Sequence, residues 1–260
     1  MSATEAQNVG RTYLVTGSAS GIGRSTTEYL LEQGHRVIGA DLRDADIIAD
    51  LETPEGRAQL VEQATRISSG RVDAVMAVAG IDSGGPGTVS VNYYGAKATL
   101  EGLRPLLLRS PTPRAVAVSS ITSVHEHDEQ MVTMMLNGTE EQARARAALA
   151  PFAYASSKRA LSRWIRRAAI SAEWAGAGIP LNAVAPGLVR TALLDRLFAD
   201  PDTERRIKAG TPMPLTEPFP PRRIAELLAF LTGEHNGQIT GQTIFIDGGA
   251  DATIRGDDVW

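Results

Sequence analysis

A tyrosine and a lysine in the segment PFAYASSKRAL have the chemistry of an acid/base pair. Tyr154 stands four positions before Lys158, so on a helix the two side chains share one face. A lysine cation beside a phenol favours the phenolate, and should lower the phenol pKa from about 10 toward neutrality. The alternative is an ordinary solvated pair on a helix surface. Ser119 and Ser120, which end an apolar segment upstream, favour the chemical interpretation.

Apolar segments alternate with helical patterns along the chain. Strands are predicted at 11–16, 35–41, 71–80, 113–120, 178–186 and 241–249. Helices are predicted from the first glycine-rich turn to about Gln33 and at 53–68, 92–109, 154–175 and 221–232. This alternation predicts an α/β fold in which a doubly wound parallel sheet is covered by helices on both faces. Without a repeat or linker, residues 1–260 are predicted to form one domain.

The glycine-rich segment TGSASGIG, residues 16–23, lies where the first strand should turn into a helix. Gly17, Gly21 and Gly23 suit a tight turn, a close approach of backbone to a pyrophosphate, and packing of helix on strand. The positive end of the helix dipole would face the phosphates. A plain tight turn is the alternative, but the position after the first strand favours a Rossmann-type dinucleotide site.

An acidic residue at the end of the second strand bears on the choice of cofactor. A carboxylate at Asp41 can accept hydrogen bonds from both adenosine ribose hydroxyls and repel a 2′-phosphate. A helix N-cap or an ordinary loop acid is the alternative for Asp41. Leu42 follows it, and Arg43 is the one nearby residue that could bind a phosphate. The pattern favours NAD over NADP.

The composition excludes several functional classes. The net charge of −4 provides no field for nucleic acid or anionic lipid, so neither is an expected partner. The absence of cysteine excludes disulfides and thiol nucleophiles. The first ten residues lack a signal-peptide pattern, and no apolar run approaches the roughly 20 residues that span a bilayer. The predicted location is therefore cytoplasmic.

Seven motifs in order resemble one enzyme family. TGSASGIG, Asp41, AVAG at 77–80, VSVNYYG at 89–95, VSS at 118–120, YASSK at 154–158 and APGLVRT at 185–191 resemble the short-chain dehydrogenase/reductases. The resemblance covers about residues 11–250. GADLRDADIIADL, VSVNYYGA, IDGGADA and a long segment before YASSK are most similar to the bacterial 3α-hydroxysteroid dehydrogenase/carbonyl reductases within that family.

The resemblance implies four catalytic roles. Tyr154 would be the acid/base, and Lys158 would tune it and bind the nicotinamide ribose. Ser120 would hold the substrate oxygen. Asn92 would fix a local backbone distortion and a water in the proton relay, although it could instead be an N-cap of the helix predicted at 92–109.

The resemblance also implies the residues that contact the cofactor, NAD. The adenosine and pyrophosphate would be bound by Gly17, Ser18, Ser20, Gly21, Ile22, Gly23, Asp41, Leu42, Asp50, Leu51, Ala79 and Gly80. The nicotinamide half would be bound by Tyr154, Lys158, Pro186, Gly187, Val189 and Thr191. One departure concerns AVAG, where Ala77 and Val78 stand in place of the family's asparagines. Side-chain hydrogen bonds that tie neighbouring strands should be lost there.

Two segments are expected to form the substrate side of the site. Ser120 and Tyr154 lie 34 positions apart (154 − 120 = 34), which leaves an insertion at about 122–151. Two helices are predicted in it, the first ending at Asn137-Gly138 and the second beginning with Thr139 as its N-cap. A lid is predicted at about 192–218. Apolar substrate contacts, with core packing as the equal alternative, are predicted at Met131, Met134, Leu193, Leu194 and Leu197. His125-x-His127-Asp128 is interpreted as a solvated loop, and no metal is predicted.

These observations predict an NAD(H)-dependent oxidoreductase that interconverts an apolar secondary alcohol and its ketone, of a steroid, terpenoid or aryl class. Neither predicted substrate segment offers a convincing cation for a substrate carboxylate. The alternatives are an NADP-dependent carbonyl reductase and a non-catalytic dinucleotide sensor of the same fold. A homodimer or homotetramer is expected.

Overall fold

A single parallel sheet lies at the centre of the molecule. The structure, a computed structural model, describes residues 10–215, 218–257 and 259, and within them the sheet has seven strands in the order β3-β2-β1-β4-β5-β6-β7. The strands are β1 Thr12–Thr16, β2 Arg36–Asp41, β3 Ile47–Ile48, β4 Ala74–Ala77, β5 Arg114–Val118, β6 Leu181–Pro186 and β7 Thr243–Ile246. Because β1 pairs with both β2 and β4, the strand order reverses there. In such sheets the ligand crevice lies at the carboxyl ends of the strands beside the reversal.

The sequence identified six of these strands. β3 was missed because it has only two residues and pairs only with β2, too short for any periodicity to show. The strand predicted at 71–80 is confined to β4, and the chain leaves the sheet from Val78 onward. That departure carries Ala79 and Gly80 over the end of the sheet.

Helices cover both faces of the sheet. They are α1 Gly21–Glu32, α2 Pro54–Ile67, α3 Gly85–Val89, α4 Ala96–Leu107, α5 Glu129–Asn137, α6 Glu140–Leu149, α7 Ala153–Ala168, α8 Ala192–Leu197, α9 Pro201–Gly210, α10 Arg222–Thr232 and α11 Ala250–Arg255. Alternate residues of β1 serve opposite faces: Leu14 packs with α2, α4 and α7, whereas Tyr13 and Val15 pack with α1 and α10. The predicted doubly wound α/β fold of one domain is confirmed. No helix in the described ranges is both long and apolar enough to cross a bilayer.

Two predicted helix boundaries were wrong. The helix predicted at 154–175 ends at Ala168, because the carbonyl of Ser171 accepts the N–H groups of Trp174 and Gly176 in a separate turn. The helix predicted at 92–109 is preceded by α3 and a π-helical turn, Ser90–Gly95. Asn92 therefore lies inside this turn rather than at an N-cap.

The insertion consists of α5 and α6, in agreement with the predicted pair of helices. Asp128 caps α5 by accepting the N–H of Met131 at 2.7 Å. Thr139 caps α6 and forms a capping box with Gln142. Apolar side chains of both helices belong to the same core cluster as α4 and α7: Met131, Val132, Met135, Ala143 and Ala147. The insertion is thus part of the domain core.

A partly buried ion pair anchors the insertion. Nη1 of Arg57 lies 2.6 Å from Oε2 of Glu140, and its Nη2 lies 2.7 Å from Oε1. Arg57 also donates to the carbonyl oxygen of Ser90 at 3.3 Å, and Arg144 donates to the Ser90 hydroxyl. The insertion is therefore bonded directly to the first residue of the π-helical turn that contains Asn92.

Candidate active site

The glycine-rich loop leaves open backbone at the start of α1. Gly17 has φ +71°, and a Cβ on it would lie 2.9 Å from Cα of Ala79, so only glycine fits. Ser20 occupies the N-cap position of α1 but makes no side-chain capping bond within the described structure, and the first turn contains no acidic residue. The amides at this helix terminus are accordingly suited to a phosphate.

Asp41 ties the glycine-rich loop to β2. Its Oδ2 accepts the N–H of Ala19 at 3.0 Å, and its Oδ1 accepts the N–H of Leu42 at 2.7 Å. Of the other predicted adenosine contacts, Asp50 accepts the N–H of Glu52 at 2.9 Å, and Leu51 packs in the core. Asp41 is the predicted adenosine contact whose carboxylate lies directly beside the glycine-rich loop.

The end of β4 is hydrogen-bonded to β1 even though AVAG has no asparagine side chain to make such a bond. Oγ1 of Thr16 accepts the N–H groups of Val78 at 3.0 Å and of Ala79 at 3.1 Å. A hydroxyl at the end of β1 is therefore hydrogen-bonded to the backbone that follows β4. The glycine-rich loop and the end of β4 are held together by this contact.

Asn92 binds the chain that leaves β4. Its Oδ1 accepts the N–H of Ile81 at 2.8 Å, and its Nδ2 donates to the Ile81 carbonyl at 2.9 Å and to Oγ of Ser157 at 3.2 Å. The side chain is fully buried. One amide thereby joins the π-helical turn, the β4 loop and α7.

Lys158 reaches the end of the sheet from α7. Its Nζ donates to the carbonyl oxygen of Val118 at 2.8 Å. A Cβ added to Gly80 would lie 3.2 Å from Nζ and 3.3 Å from Oδ1 of Asn92. Ser119 donates to the carbonyl oxygen of Lys158 at 3.1 Å, so its role is to anchor α7.

Tyr154 and Ser120 lie together above Lys158. The ring centre of Tyr154 is 5.7 Å from Nζ of Lys158, and Ser120 makes a side-chain hydrogen bond with Tyr154. Burial raises the pKa of Tyr154 to about 12, although the hydrogen bond from Ser120 lowers it. The expected shift toward neutrality is wrong for this structure, because removing the phenolate from water outweighs that bond. Tyr154 carries its proton at neutral pH.

Burial has the opposite effect on the amine. It lowers the pKa of Lys158 to about 8, and the carboxylate of Asp82 partly offsets that effect. Asp82 also raises the pKa of Tyr154. Sequence reasoning missed Asp82, although its place two residues after AVAG, at the carboxyl end of β4, was a usable signal.

The segment after β6 completes the crevice. Gly187 passes so close to β7 that a Cβ on it would lie 2.8 Å from Cα of Asp247. Thr191 caps α8, and its Cγ2 lies 3.5 Å from the position that a Cβ of Gly21 would occupy. Both ends of the predicted dinucleotide site therefore meet at one edge of the sheet.

Comparison with known proteins identifies the family. The family profile described as enoyl-(acyl carrier protein) reductase matches residues 17–251. The 3-alpha-hydroxysteroid dehydrogenase/carbonyl reductase of Comamonas testosteroni is 37% identical over 93% of this chain and 97% of its own length. The chain belongs to the short-chain dehydrogenase/reductase family.

Solved structures of short-chain dehydrogenase/reductases share this architecture. The 3-alpha-hydroxysteroid dehydrogenase of Pseudomonas sp. B-0831, complexed with NADH, is 39% identical and has a TM-score of 0.89, covering 95% of this chain and 99% of that one. The NADP active-site complex of Pseudomonas aeruginosa RhlG is 26% identical with a TM-score of 0.74, covering 94% and 97%. The family uses NAD or NADP, and this chain is an oxidoreductase of that family.

The predicted substrate contacts divide into core and surface residues. Met131 is 0% exposed and packs in the domain core, so its prediction as a substrate contact was wrong and the packing alternative holds. Met134 is partly buried against the same core. Leu194 is buried, whereas Leu193 and Leu197 are half-buried on α8. Of the predicted lid, residues 216–217 lie outside the described residues.

The histidine motif of the insertion is more ordered than the predicted solvated loop. Nδ1 of His127 is 2.9 Å from the carbonyl oxygen of His125, and its Nε2 is 3.2 Å from Glu129. Asp128 accepts from Nε of Arg146 at 2.8 Å in addition to capping α5. These residues connect the two insertion helices.

Proposed function

We propose that the protein is an NAD(H)-dependent oxidoreductase that interconverts an apolar secondary alcohol and its ketone. The observation that carries this proposal is the cluster of Ser120, Tyr154 and Lys158 at the same edge of the sheet as the glycine-rich loop. The Comamonas testosteroni relative, named for hydroxysteroid dehydrogenase and carbonyl reductase activity, supports a ketone substrate of the steroid, terpenoid or aryl class. A cytoplasmic location and a homodimer or homotetramer remain predictions.

The residues present suit a dinucleotide. The uncapped N-terminus of α1 and the positive φ values of Gly17 and Gly21 suit a pyrophosphate, and Asp41 suits an unmodified adenosine ribose. Pro186, Gly187, Val189 and Thr191 would hold the nicotinamide half. When bound, NADH supplies the hydride that reduces the carbonyl carbon.

Tyr154 would supply the proton in ketone reduction. Since its pKa is raised to about 12, the phenol is protonated at neutral pH and can donate to the ketone oxygen. Ser120 would hold the same oxygen within reach of the phenol. In the reverse direction Tyr154 must first lose its proton, and the charge of Lys158 would stabilise the phenolate that results.

Asn92 would act by positioning rather than by contact with the substrate. It fixes the backbone of Ile81 and contacts Ser157, one residue before Lys158. These contacts of Asn92 and the hydrogen bond from Lys158 to the carbonyl of Val118 would fix the position of the amine. From there Nζ could interact with both the phenol of Tyr154 and a hydroxyl of the nicotinamide ribose. A water next to these groups would connect them to solvent.

A panel of steroid, terpenoid and aryl alcohols and ketones, assayed with NAD and NADH on wild type and Tyr154→Phe, tests the proposal. We expect turnover by the wild type and a loss of at least about a thousandfold in kcat for the variant, with cofactor affinity within about twofold. The absence of turnover despite tight cofactor binding would favour the dinucleotide sensor. Turnover of an enoyl thioester alone would favour the reaction that the family profile describes.

The same assay run with NADP tests the choice of cofactor. We expect a clear preference for NAD, because Asp41 lies beside the glycine-rich loop and repels a 2′-phosphate. A preference for NADP would instead support the carbonyl reductase alternative and a role for Arg43.

A further inference from the structure

Asp82 is an exposed residue of the loop between β4 and α3. Asn92 bonds both the N–H and the carbonyl of Ile81, at 2.8 and 2.9 Å, and so fixes the residue immediately before Asp82. Two residues before Asp82, the chain at Gly80 passes so close to Lys158 that a Cβ there would lie 3.2 Å from Nζ. Asp82 is thus held at the solvent side of the catalytic cluster by contacts that also involve Asn92 and Lys158.

The carboxylate of Asp82 interacts with the protein through charge: partial desolvation raises its pKa, and the positive charge of Lys158 opposes that shift. Its side chain is exposed, and among the residues that the structure describes no hydrogen bond or ion pair involves it. Its electrostatic influence reaches both Tyr154 and Lys158, and raises the pKa of each.

The negative charge of Asp82 lies at the protein surface, whereas the positive charge of Lys158 is buried. Lys158 is buried, and its amine donates a hydrogen bond to the carbonyl oxygen of Val118, which partly compensates its charge. Asp82 is exposed, two residues beyond Gly80, whose backbone lies against Lys158 and Asn92. An unpaired charge in a cleft is felt by a ligand more strongly than the same charge on an open surface.

We propose that Asp82 is a specificity-determining residue that makes the site favour ketones and alcohols with a positive charge on an apolar body over neutral ones of the same shape. By the same interaction, anionic substrates are disfavoured. The inference rests on the proposed function, and adds to it the charge of the substrate. For unit charges about 6 Å apart at an effective dielectric constant of about 40, the preference is about tenfold, or about 1.4 kcal/mol.

Three para-substituted acetophenones isolate charge from shape. 4-Acetyl-N,N,N-trimethylanilinium and 4-tert-butylacetophenone have the same outline and differ by one positive charge, and 4-acetylbenzoate provides the anion. We would measure kcat/KM with NADH at pH 8 on wild type, Asp82→Asn and Glu62→Gln. Glu62→Gln removes one negative charge from an exposed position on α2 and serves as the matched control.

The quantity compared between variants is the ratio of kcat/KM for the cationic ketone to kcat/KM for the tert-butyl ketone. The preference for the cation over the tert-butyl ketone should be about tenfold greater in wild type and Glu62→Gln than in Asp82→Asn. Asp82→Lys should reverse the order and favour the carboxylate. Comparing ratios removes the electronic effect of the substituent, which is the same in every variant.

Equal ratios in wild type and Asp82→Asn would overturn the inference. Lack of turnover of every ketone in the steroid, terpenoid and aryl panel would contradict the proposed function instead. In that case calorimetric affinities of the cation and the tert-butyl ketone, measured with NADH present, provide the same comparison of ratios. Thermal melts of each variant confirm that it is folded.

Discussion

Lys158 combines a positive charge with almost complete burial. Its side chain is 2% exposed, and its Nζ has one hydrogen bond to a backbone carbonyl, that of Val118. Burial lowers its pKa from 10.5 to about 8, which means that charging this amine costs the folded protein free energy. A buried lysine therefore lowers the stability of the folded protein, and such residues are often found where a charged amine has a chemical role.

Lys158→Met should change how stability depends on pH. The folded pKa of Lys158 is about 8 and its ordinary value is 10.5, so the unfolded chain holds the extra proton between these values. Wild type should therefore gain about 2–3 kcal/mol relative to Lys158→Met as the pH rises from about 7 to about 10. Below about pH 8 the difference should level off.

Urea denaturation of both proteins at several pH values measures this difference. Lys97→Met, which removes a half-exposed helix lysine, controls for the general effect of losing a positive charge. Parallel curves for wild type and Lys158→Met would contradict a lowered pKa.

The candidate site shows what sequence spacing can and cannot predict about single residues. Tyr154, Lys158, Ser120 and the glycines could be predicted as site residues because their proposed roles require particular residue types at particular spacings. The raised pKa of Tyr154 was not predictable, since it depends on how deeply the phenol lies. Asp82 follows AVAG by two residues, which places it near the end of β4, but its relation to the pair also involves the bond between Asn92 and Ile81, which connects separate segments.

At the scale of elements, α5 and α6 behave as part of the domain rather than as an appendage. Their apolar side chains enter the main core, and the bond between Arg57 and Glu140 fastens α6 beside α2. Arg57 also donates to the carbonyl oxygens of Leu51 and Glu52. Loss of Glu140 would therefore leave a guanidinium held in place without its counter-ion.

Glu140→Gln should destabilise the protein by about 1–3 kcal/mol, because the arginine side chain is 10% exposed and stays in position without a negative partner. Although burial opposes ionisation, hydrogen bonds from Arg57 and Ser90 lower the pKa of Glu140. The stability that Glu140 adds is present above its ordinary pKa and is lost as the pH falls through its lowered value.

Chemical denaturation at neutral pH and near pH 3 measures both effects. Asp202→Asn is the matched control, because Arg205 and Asp202 are 77% and 83% exposed and their pair should contribute less than about 0.5 kcal/mol. An equally small effect for Glu140→Gln would show that the insertion does not depend on this pair.

Helix caps and apolar periodicity predicted which helices and strands are present, but they predicted the residues at which the helices begin and end less accurately. Thr139 and the two insertion helices followed from local signals, since capping acts within a few residues. The end of α7 depends on a turn that packs Trp174 into the core, and the π-helical turn depends on contacts made by Asn92. Both are decided by tertiary structure and leave no local pattern.

For the whole molecule, the glycine-rich loop and the segment after β6 come from distant parts of the chain and meet at one crevice. Thr191 lies beside Gly21, and Gly80 beside Lys158. A dinucleotide bound across these segments would connect elements on both sides of the sheet. Its binding should be visible in global stability, because a ligand that binds only the folded state stabilises it by mass action.

NAD at about 100 times its dissociation constant should add about 2.7 kcal/mol to stability, and raise the melting temperature by about 5–10 °C. The same concentration of NADP should give a much smaller increase, because the two cofactors differ only in the 2′-phosphate that we propose Asp41 repels. Thermal melts followed by circular dichroism measure both shifts. An equal increase with NADP would contradict the role proposed for Asp41.

The order of the strands also determines when the crevice can form during synthesis. β1, β2 and β3 leave the ribosome first, and β1 keeps one side unpaired until β4 follows. From β4 onward, each new strand pairs with the one made just before it. Thr191 follows β6, so a nascent chain acquires a complete crevice only after β6 and the segment behind it have emerged. Until then, β1 has an unpaired edge, and unpaired strand edges promote association with other chains.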